Sequence, residues 1–159
     1  MDVPVSSPAI PHGNKTIAKA EMAKIPVFST IYKSGSILVD RKSESSRIES
    51  YSKMKEVLKM GLHMCIYPEG TRNRTGEPLK TFHNGAFKLS VETGKAIIPS
   101  LIFNTAKALP PGKGLYFLPH KLEMHFLPEV KPLENETVEE LNKRVFEIMK
   151  AYYVQNRKT

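Results

Sequence analysis

Apolar positions along the chain change period several times, and each change predicts a new element. Lys15 to Lys19 is a short β-prone run, and from Glu21 to Tyr32 the residues Met22, Ile25, Phe28, Ile31 and Tyr32 recur at helical spacing around Pro26. Ser36 to Val39 follows a Lys-Ser-Gly turn and reads as a strand. Ser46 to Gly61 is the cleanest helical pattern: Ser46 and Glu49 have the spacing of a capping box, Ile48, Tyr51, Met54, Val57 and Leu58 share a face, and Gly61 stands where a helix ends. Leu62 to Tyr67 is continuously apolar, as a strand buried on both faces would be. Pro68 to Asn84 is polar and holds Gly70, Gly76 and Pro78; a loop of that length tends to be functional. Gly85 to Thr93 is a helix closed by Gly94, and Ala96 to Phe103 is another buried strand. Asn104 to Gly114 is a Pro/Gly-rich excursion, and Lys121 to Val130 alternates like an antiparallel or edge strand. Thr137 and Glu140 cap a last helix that places Val138, Leu141, Val145, Ile148 and Tyr152 on one side. The alternation argues a single α/β domain over 1–159 with a mostly parallel, covered sheet.

Composition narrows the partner. The 159 residues carry 24 Lys+Arg against 16 Asp+Glu, a formal charge of +8, so an anionic partner is expected: nucleic acid, phospholipid surface or phosphorylated small molecule. Nucleic acid fits least, because neither interleaved aromatics nor a recognition motif accompanies the charge. Fourteen of the acids are Glu; Asp2 and Asp40 are the two Asp, so Asp-based chemistry has two candidate positions. The single Cys65 permits no internal disulfide, which points to a reducing, intracellular compartment, and no Cys/His spacing suggests a metal site. The uncharged, apolar stretch Ala96 to Ala106 is about half a membrane span. The first thirteen residues show neither the basic start nor the apolar run of a secretory leader.

In open α/β sheets, ligands gather beyond the carboxyl ends of the strands. Asp40-Arg41-Lys42 follows one predicted strand, and Pro68-Glu69-Gly70-Thr71-Arg72-Asn73 follows another. Each puts a guanidinium beside a carboxylate. Arg offers a planar fork suited to phosphate oxygens, Gly70 lets backbone N–H groups approach an anion, and Thr71 adds a hydroxyl. Either pair taken alone also reads as a solvated ion pair; together they suit a phosphate-bearing small ligand held between Arg41 and Arg72.

Those residues carry a resemblance. Glu69-Gly70-Thr71-Arg72 resembles the E-G-T-R block of the 1-acyl-glycerol-3-phosphate (lysophosphatidate) acyltransferases. Ala18-Lys19-Ala20-Glu21-Met22 is similar to that family's A-K-x-E-L segment, Gly35-Ser36-Ile37-Leu38-Val39-Asp40-Arg41 to its G-x-I-F-I-D-R block, and Ile97-Ile98-Pro99-Ser100-Leu101 to its apolar fourth block. Phe82 with Gly85-Ala86 fits the F-x-x-G-A element between the last two. The resemblance covers roughly Asp2 to Phe103. It implies the glycerol-3-phosphate acyltransferase type of fold and a reaction in which a His, oriented by an Asp five positions later, takes the proton of the lysophosphatidate hydroxyl while the oxygen attacks an acyl thioester. Lys19, Arg41, Glu69, Gly70, Thr71 and Arg72 are then the substrate-phosphate residues. The donor is acyl-CoA or acyl-carrier protein, no metal or other cofactor is needed, and the chain works peripherally at the cytoplasmic face of a membrane.

One departure matters. The His residues stand at 12, 63, 83, 120 and 125, and five positions on are Ile17, Pro68, Lys88, His125 and Val130, so no His-x4-Asp is present. Asp2-Val3-Pro4-Val5 is similar to the tail of the family's first block. Asp2 is therefore expected to be the orienting carboxylate of an N-terminally clipped domain that lacks its His, its N-terminal helices and its turnover. The alternative is a non-catalytic module that binds anionic lipid or a partner. Of the other candidates, His63 and Cys65 are expected to pack in the core rather than form a thiol–imidazole pair, and His120 and His125 to point to opposite faces.

Overall fold

The parallel sheet forms where the β-prone runs at Lys15 and Ser36 predict it. A computed structural model describes residues 2–21, 35–40, 42–109 and 118–157. The chain divides into two compact units, Ser7–Tyr67 and Pro68–Thr159, the second joined by Met1–Ser6. Helix α1 spans Asp2–Ala9.

In the unit Ser7–Tyr67, β1 (Asn14–Lys19) is central, with β2 (Ser36–Val39) and β3 (His63–Cys65) parallel on either side. Registers run from Thr16 opposite Ser36 to Lys19 opposite Val39, and from Asn14 opposite His63 to Thr16 opposite Cys65. Ala18, Ile37 and Val39 are buried, and the buried hydroxyls of Thr16 and Ser36 satisfy each other at 2.8 Å. Asn14 Nδ2 donates to the Ser7 carbonyl at 2.9 Å, tying the last turn of α1 to the first residue of β1.

Helix α2 (Glu44–Lys59) makes the crossover from β2 to β3. It starts three residues earlier than the Ser46–Glu49 box predicts. Ser43 is the N-cap, its extended backbone letting the hydroxyl accept from Ser46 N–H at 3.2 Å. The end is as expected: Gly61 has φ +78°, Gly61 N–H bonds to Leu58 O and Leu62 N–H to Val57 O, both at 3.2 Å, a Schellman closure. The buried face is Ser50, Met54 and Val57, and Ile48 is 63% exposed. Six residues before Met54, Ile48 is rotated about 120° from it around the helix and falls outside the buried arc. The predicted two-faced strand at Leu62–Tyr67 is also corrected: β3 is three residues long, none of them buried, because it is an edge strand of the described sheet. The helix predicted over Glu21–Tyr32 lies almost wholly outside the described residues.

The second unit contains α3 (Gly85–Thr93), β4 (Ser100–Phe103), the single turn α4 (Thr105–Ala108), β5 (Glu123–Phe126) and α5 (Val138–Asn156). Helix α3 ends at Gly94, φ +65°, as its sequence predicts. β4 and β5 pair antiparallel, Leu101 opposite His125 and Phe103 opposite Glu123. The predicted strand Ala96–Phe103 is interrupted: Ile97 forms an isolated bridge with Val130, and regular pairing starts at Ser100. Pro99 between them has no N–H to give a ladder. The predicted excursion Asn104 to Gly114 contains α4, with Ala108 buried; its residues 110–114 are outside the described set.

Thr137 and Glu140 form both bonds of a capping box at the head of α5. Leu141, Val145 and Met149 are its buried stripe; Ile148, predicted for that stripe, is 37% exposed and Met149 takes the place. They join one core cluster with Leu79, Phe82, Phe87, Leu101, Phe103, Leu127 and Val130. Phe82 packs edge-on to Phe146 with centroids 5.0 Å apart, and Phe103 stacks on Tyr153 at 5.6 Å. The guanidinium of Arg144 is bidentate on Glu136, at 2.7 and 2.6 Å, and its Nη2 also donates to Lys131 O at 2.8 Å, which fastens the 131–136 segment to α5.

Two predictions follow from this packing. Leu141→Ala, at a site with no exposed surface, lowers the unfolding free energy by about 2–5 kcal/mol in urea titration, whereas Ile148→Ala stays within about 1 kcal/mol. The Arg144 hydrogen bond holds the Glu136 carboxyl below its ordinary value of 4.5. A lowered folded value stabilises the protein above pH 4.5, and that stabilisation is lost as pH falls through the lowered value. Glu136→Gln therefore lowers neutral-pH stability and flattens the acid limb of the stability curve.

Candidate functional site

Residues 68–83 form a loop closed on itself. At its mouth His83 N–H donates to Pro68 O at 2.9 Å, and one step inward Lys80 N–H donates to Glu69 Oε2 at 3.2 Å. At its far end an Asx turn is built on Asn73: Oδ1 accepts from Thr75 N–H at 3.0 Å and from its hydroxyl at 2.7 Å, and Nδ2 donates to Glu77 O at 2.8 Å. Gly76, φ +81°, completes that turn. Leu79 and Phe82 are buried in the core cluster and anchor the returning limb. This is the internal packing expected of a functional Ω-type loop.

Gly70 has φ +67°, a left-handed conformation that other residues adopt only with strain. The turn there separates Glu69, whose carboxylate holds the loop, from Thr71 and Arg72, both exposed. Thr71 Oγ1 lies 2.8 Å from Lys80 Nζ. An ammonium can only donate, so the hydroxyl accepts from Lys80 and its own proton stays available for a ligand. Arg72 has no ion-pair partner among the described residues. One stretch of loop thus offers a hydroxyl donor, a guanidinium and an ammonium, the donor set of a phosphate site.

Lys80 is the addition. Nothing in its spacing marks it, since nine residues separate it from Thr71 and only the fold of the loop brings them together. Glu69 Oε2 accepts a backbone hydrogen bond and so braces the loop.

The remaining predicted site residues are placed as follows. Lys19 is the exposed last residue of β1, opposite Val39 in register. Asp40 follows β2 and serves the turn into α2: its Oδ1 accepts from Lys42 N–H at 2.9 Å and its own N–H donates to Ser46 Oγ at 3.0 Å. Arg41 lies outside the described residues, and so does the expected meeting of its guanidinium with that of Arg72. Asp2 is the first residue of α1.

Of the histidines, His63 is exposed and Cys65 half-buried, so the predicted core packing of this pair does not occur. His125 is held by Tyr152 OH at 3.0 Å on Nδ1 and by Glu123 at 3.3 Å on Nε2, while His120 is exposed ahead of β5.

These features define an α/β protein with a parallel sheet and a loop built to present cations and a hydroxyl to an anion. The family model described as Acyltransferase matches residues 1–103, and the chain belongs to that family. It is 36% identical over 98 residues to a 1-acyl-sn-glycerol-3-phosphate acyltransferase of Cocos nucifera, an alignment covering 60% of this chain and 32% of that protein. It is 34% identical over 90 residues to the enzyme of the same description from Borreliella burgdorferi, covering 56% and 36%. The aligned part thus spans about a third of the length of these curated relatives. The crystal structure of the 1-acyl-sn-glycerophosphate (LPA) acyltransferase PlsC from Thermotoga maritima matches with a TM-score of 0.73 at 27% identity, over 92% of this chain and 58% of that one. No helix among the described residues is long and apolar enough to cross a membrane.

Gly70→Ala puts a Cβ on a left-handed residue and costs about 1 kcal/mol by denaturant titration. Gly85→Ala, with ordinary φ and nothing within 4 Å of the added carbon, does not destabilise.

Proposed function

We propose that this chain serves the transfer of an acyl group from a thioester donor, acyl-CoA or acyl-carrier protein, to the free hydroxyl of 1-acyl-glycerol-3-phosphate, forming phosphatidate. The observation that carries the reading is the 68–83 loop. Within a match to the Acyltransferase family it keeps Glu69 as its brace and leaves Thr71, Arg72 and Lys80 facing outward. Arg72, with Thr71 and Lys80, binds the substrate phosphate and so places the glycerol hydroxyl. Lys19 and Arg41 are further phosphate cations, assigned from their family blocks.

In the reaction the hydroxyl oxygen attacks the thioester carbonyl carbon and gives its proton to an imidazole oriented by Asp2. The C–S bond then breaks, and the leaving thiolate takes the proton back from the imidazole. No metal or redox cofactor is required in this scheme. The acceptor is an amphiphile and the chain carries +8, so the reaction takes place peripherally at an anionic membrane face, on the cytoplasmic side.

None of the five histidines stands five residues before an Asp. The 159 residues alone therefore lack the base, and their turnover is depressed by about 10²- to 10⁴-fold. The charge of +8 supports, as a second reading, a non-catalytic module that binds anionic lipid. Acyl transfer to lysophosphatidate, assayed for the 159-residue chain and for one extended with its natural upstream residues, separates the two. A His five positions before Asp2 and recovered turnover support the enzyme; no His and no turnover support the module. In the active form Arg72→Ala lowers kcat/KM for lysophosphatidate by about 10- to 100-fold, the worth of a charged hydrogen bond. An unchanged value removes Arg72 from the phosphate site.

A further inference from the structure

Asn84 precedes α3 yet its side chain does not cap that helix. It turns toward α5 instead: Nδ2 donates to Glu139 Oε1 at 2.9 Å, and Oδ1 accepts from Asn142 Nδ2 at 2.7 Å. The second N–H of Asn142 goes to Phe82 O at 3.2 Å. A primary amide has two N–H donors and one acceptor oxygen. Asn142 has used both donors and keeps its oxygen, while Asn84 keeps one N–H. Two neighbouring side chains thus offer one acceptor and one donor, the complement of a secondary amide.

These residues line a cleft of about 280 Å³. Phe82 and Phe146, edge to face, give it an apolar wall, and Lys143 stands at its side. Lys143 is exposed and has no carboxylate within ion-pair distance among the described residues. Ligand sites for whole drug-sized molecules run from roughly 300 to 1,000 Å³, so this cleft suits a linear arm rather than an entire nucleotide. It also adjoins the foot of the 68–83 loop, where His83 N–H meets Pro68 O.

We propose that the cleft between residues 81–84 and α5 takes the phosphopantetheine arm of the acyl donor. The inference rests on the acyl-transfer reading above. That arm carries two secondary amides, a branched apolar segment and a phosphate at the end remote from its sulfur. An amide pairs with Asn84 and Asn142, the branched carbons lie on Phe82 and Phe146, and the phosphate meets Lys143. Coenzyme A and a carrier protein share this chemistry.

The test titrates coenzyme A, and separately holo- and apo-carrier protein, into the 159-residue chain while following the Asn side-chain amide signals by NMR. Coenzyme A or the holo carrier is expected to shift Asn84 and Asn142, and the apo carrier, lacking the arm, is not. Shifts with one donor alone identify the source. Lys143→Glu, an exposed substitution that leaves the core intact, weakens binding at least tenfold, as does Asn142→Ala. Neither variant changes the binding of glycerol 3-phosphate, which reads the Arg72 loop. Absence of shifts with both donors, or unaltered affinity in Lys143→Glu, overturns the proposal. A failure of the acyl-transfer reading shows separately, as lost glycerol 3-phosphate binding together with an inactive extended chain.

Discussion

Burial of Leu141 on α5, in one cluster with Phe87 of α3 and Leu101 and Phe103 of β4, is the constraint on which the second unit depends. Interiors are packed to crystal-like density, so the positions of these residues are mutually fixed. Leu79 and Phe82 belong to the same cluster although they lie in the polar loop. The loop that carries Thr71 and Arg72 is therefore moored to the core at its returning limb, and its shape is inherited from the packing beneath it. Functional groups on loops require such mooring, because a phosphate ligand selects geometry and a free loop would lose entropy on binding.

Within the loop the polar groups divide into those that brace and those that remain available. Glu69 and Asn73 accept from neighbouring N–H groups and close turns. Thr71 accepts from an ammonium, so its own proton is available to a ligand close to a positive charge. Lys80 thereby links brace and site: its backbone N–H holds Glu69 while its side chain sits on Thr71. The left-handed Gly70 makes this division possible by turning the chain between residues 69 and 71.

Local signals were readable wherever a short stretch of chain satisfies its own hydrogen bonds. Helix α3 and its Gly94 stop, the Thr137–Glu140 box and the Gly61 closure are all such cases. The misreadings concern partners. Ser43 outcompetes Ser46 as N-cap because Ser46 donates its own N–H to the Ser43 hydroxyl. Ile48 and Ile148 fit a helical stripe by spacing, but which arc of a helix is buried depends on what packs there. Continuous apolarity at Leu62–Tyr67 reads as a central strand, yet the described sheet has β3 at its edge.

Sequence alone settled the α/β class, the strand runs at Lys15 and Ser36 and the identity of the E-G-T-R segment, because periodicity and short motifs are encoded by neighbours. Tertiary structure alone decided that Glu69 is a brace, that Lys80 belongs with Thr71, and that Asn84 turns from its own helix toward Asn142. Each of these choices is a contest between hydrogen-bond partners 9 to 58 residues apart. Such contests are resolved by which groups packing brings within about 3 Å, a distance no local spacing encodes.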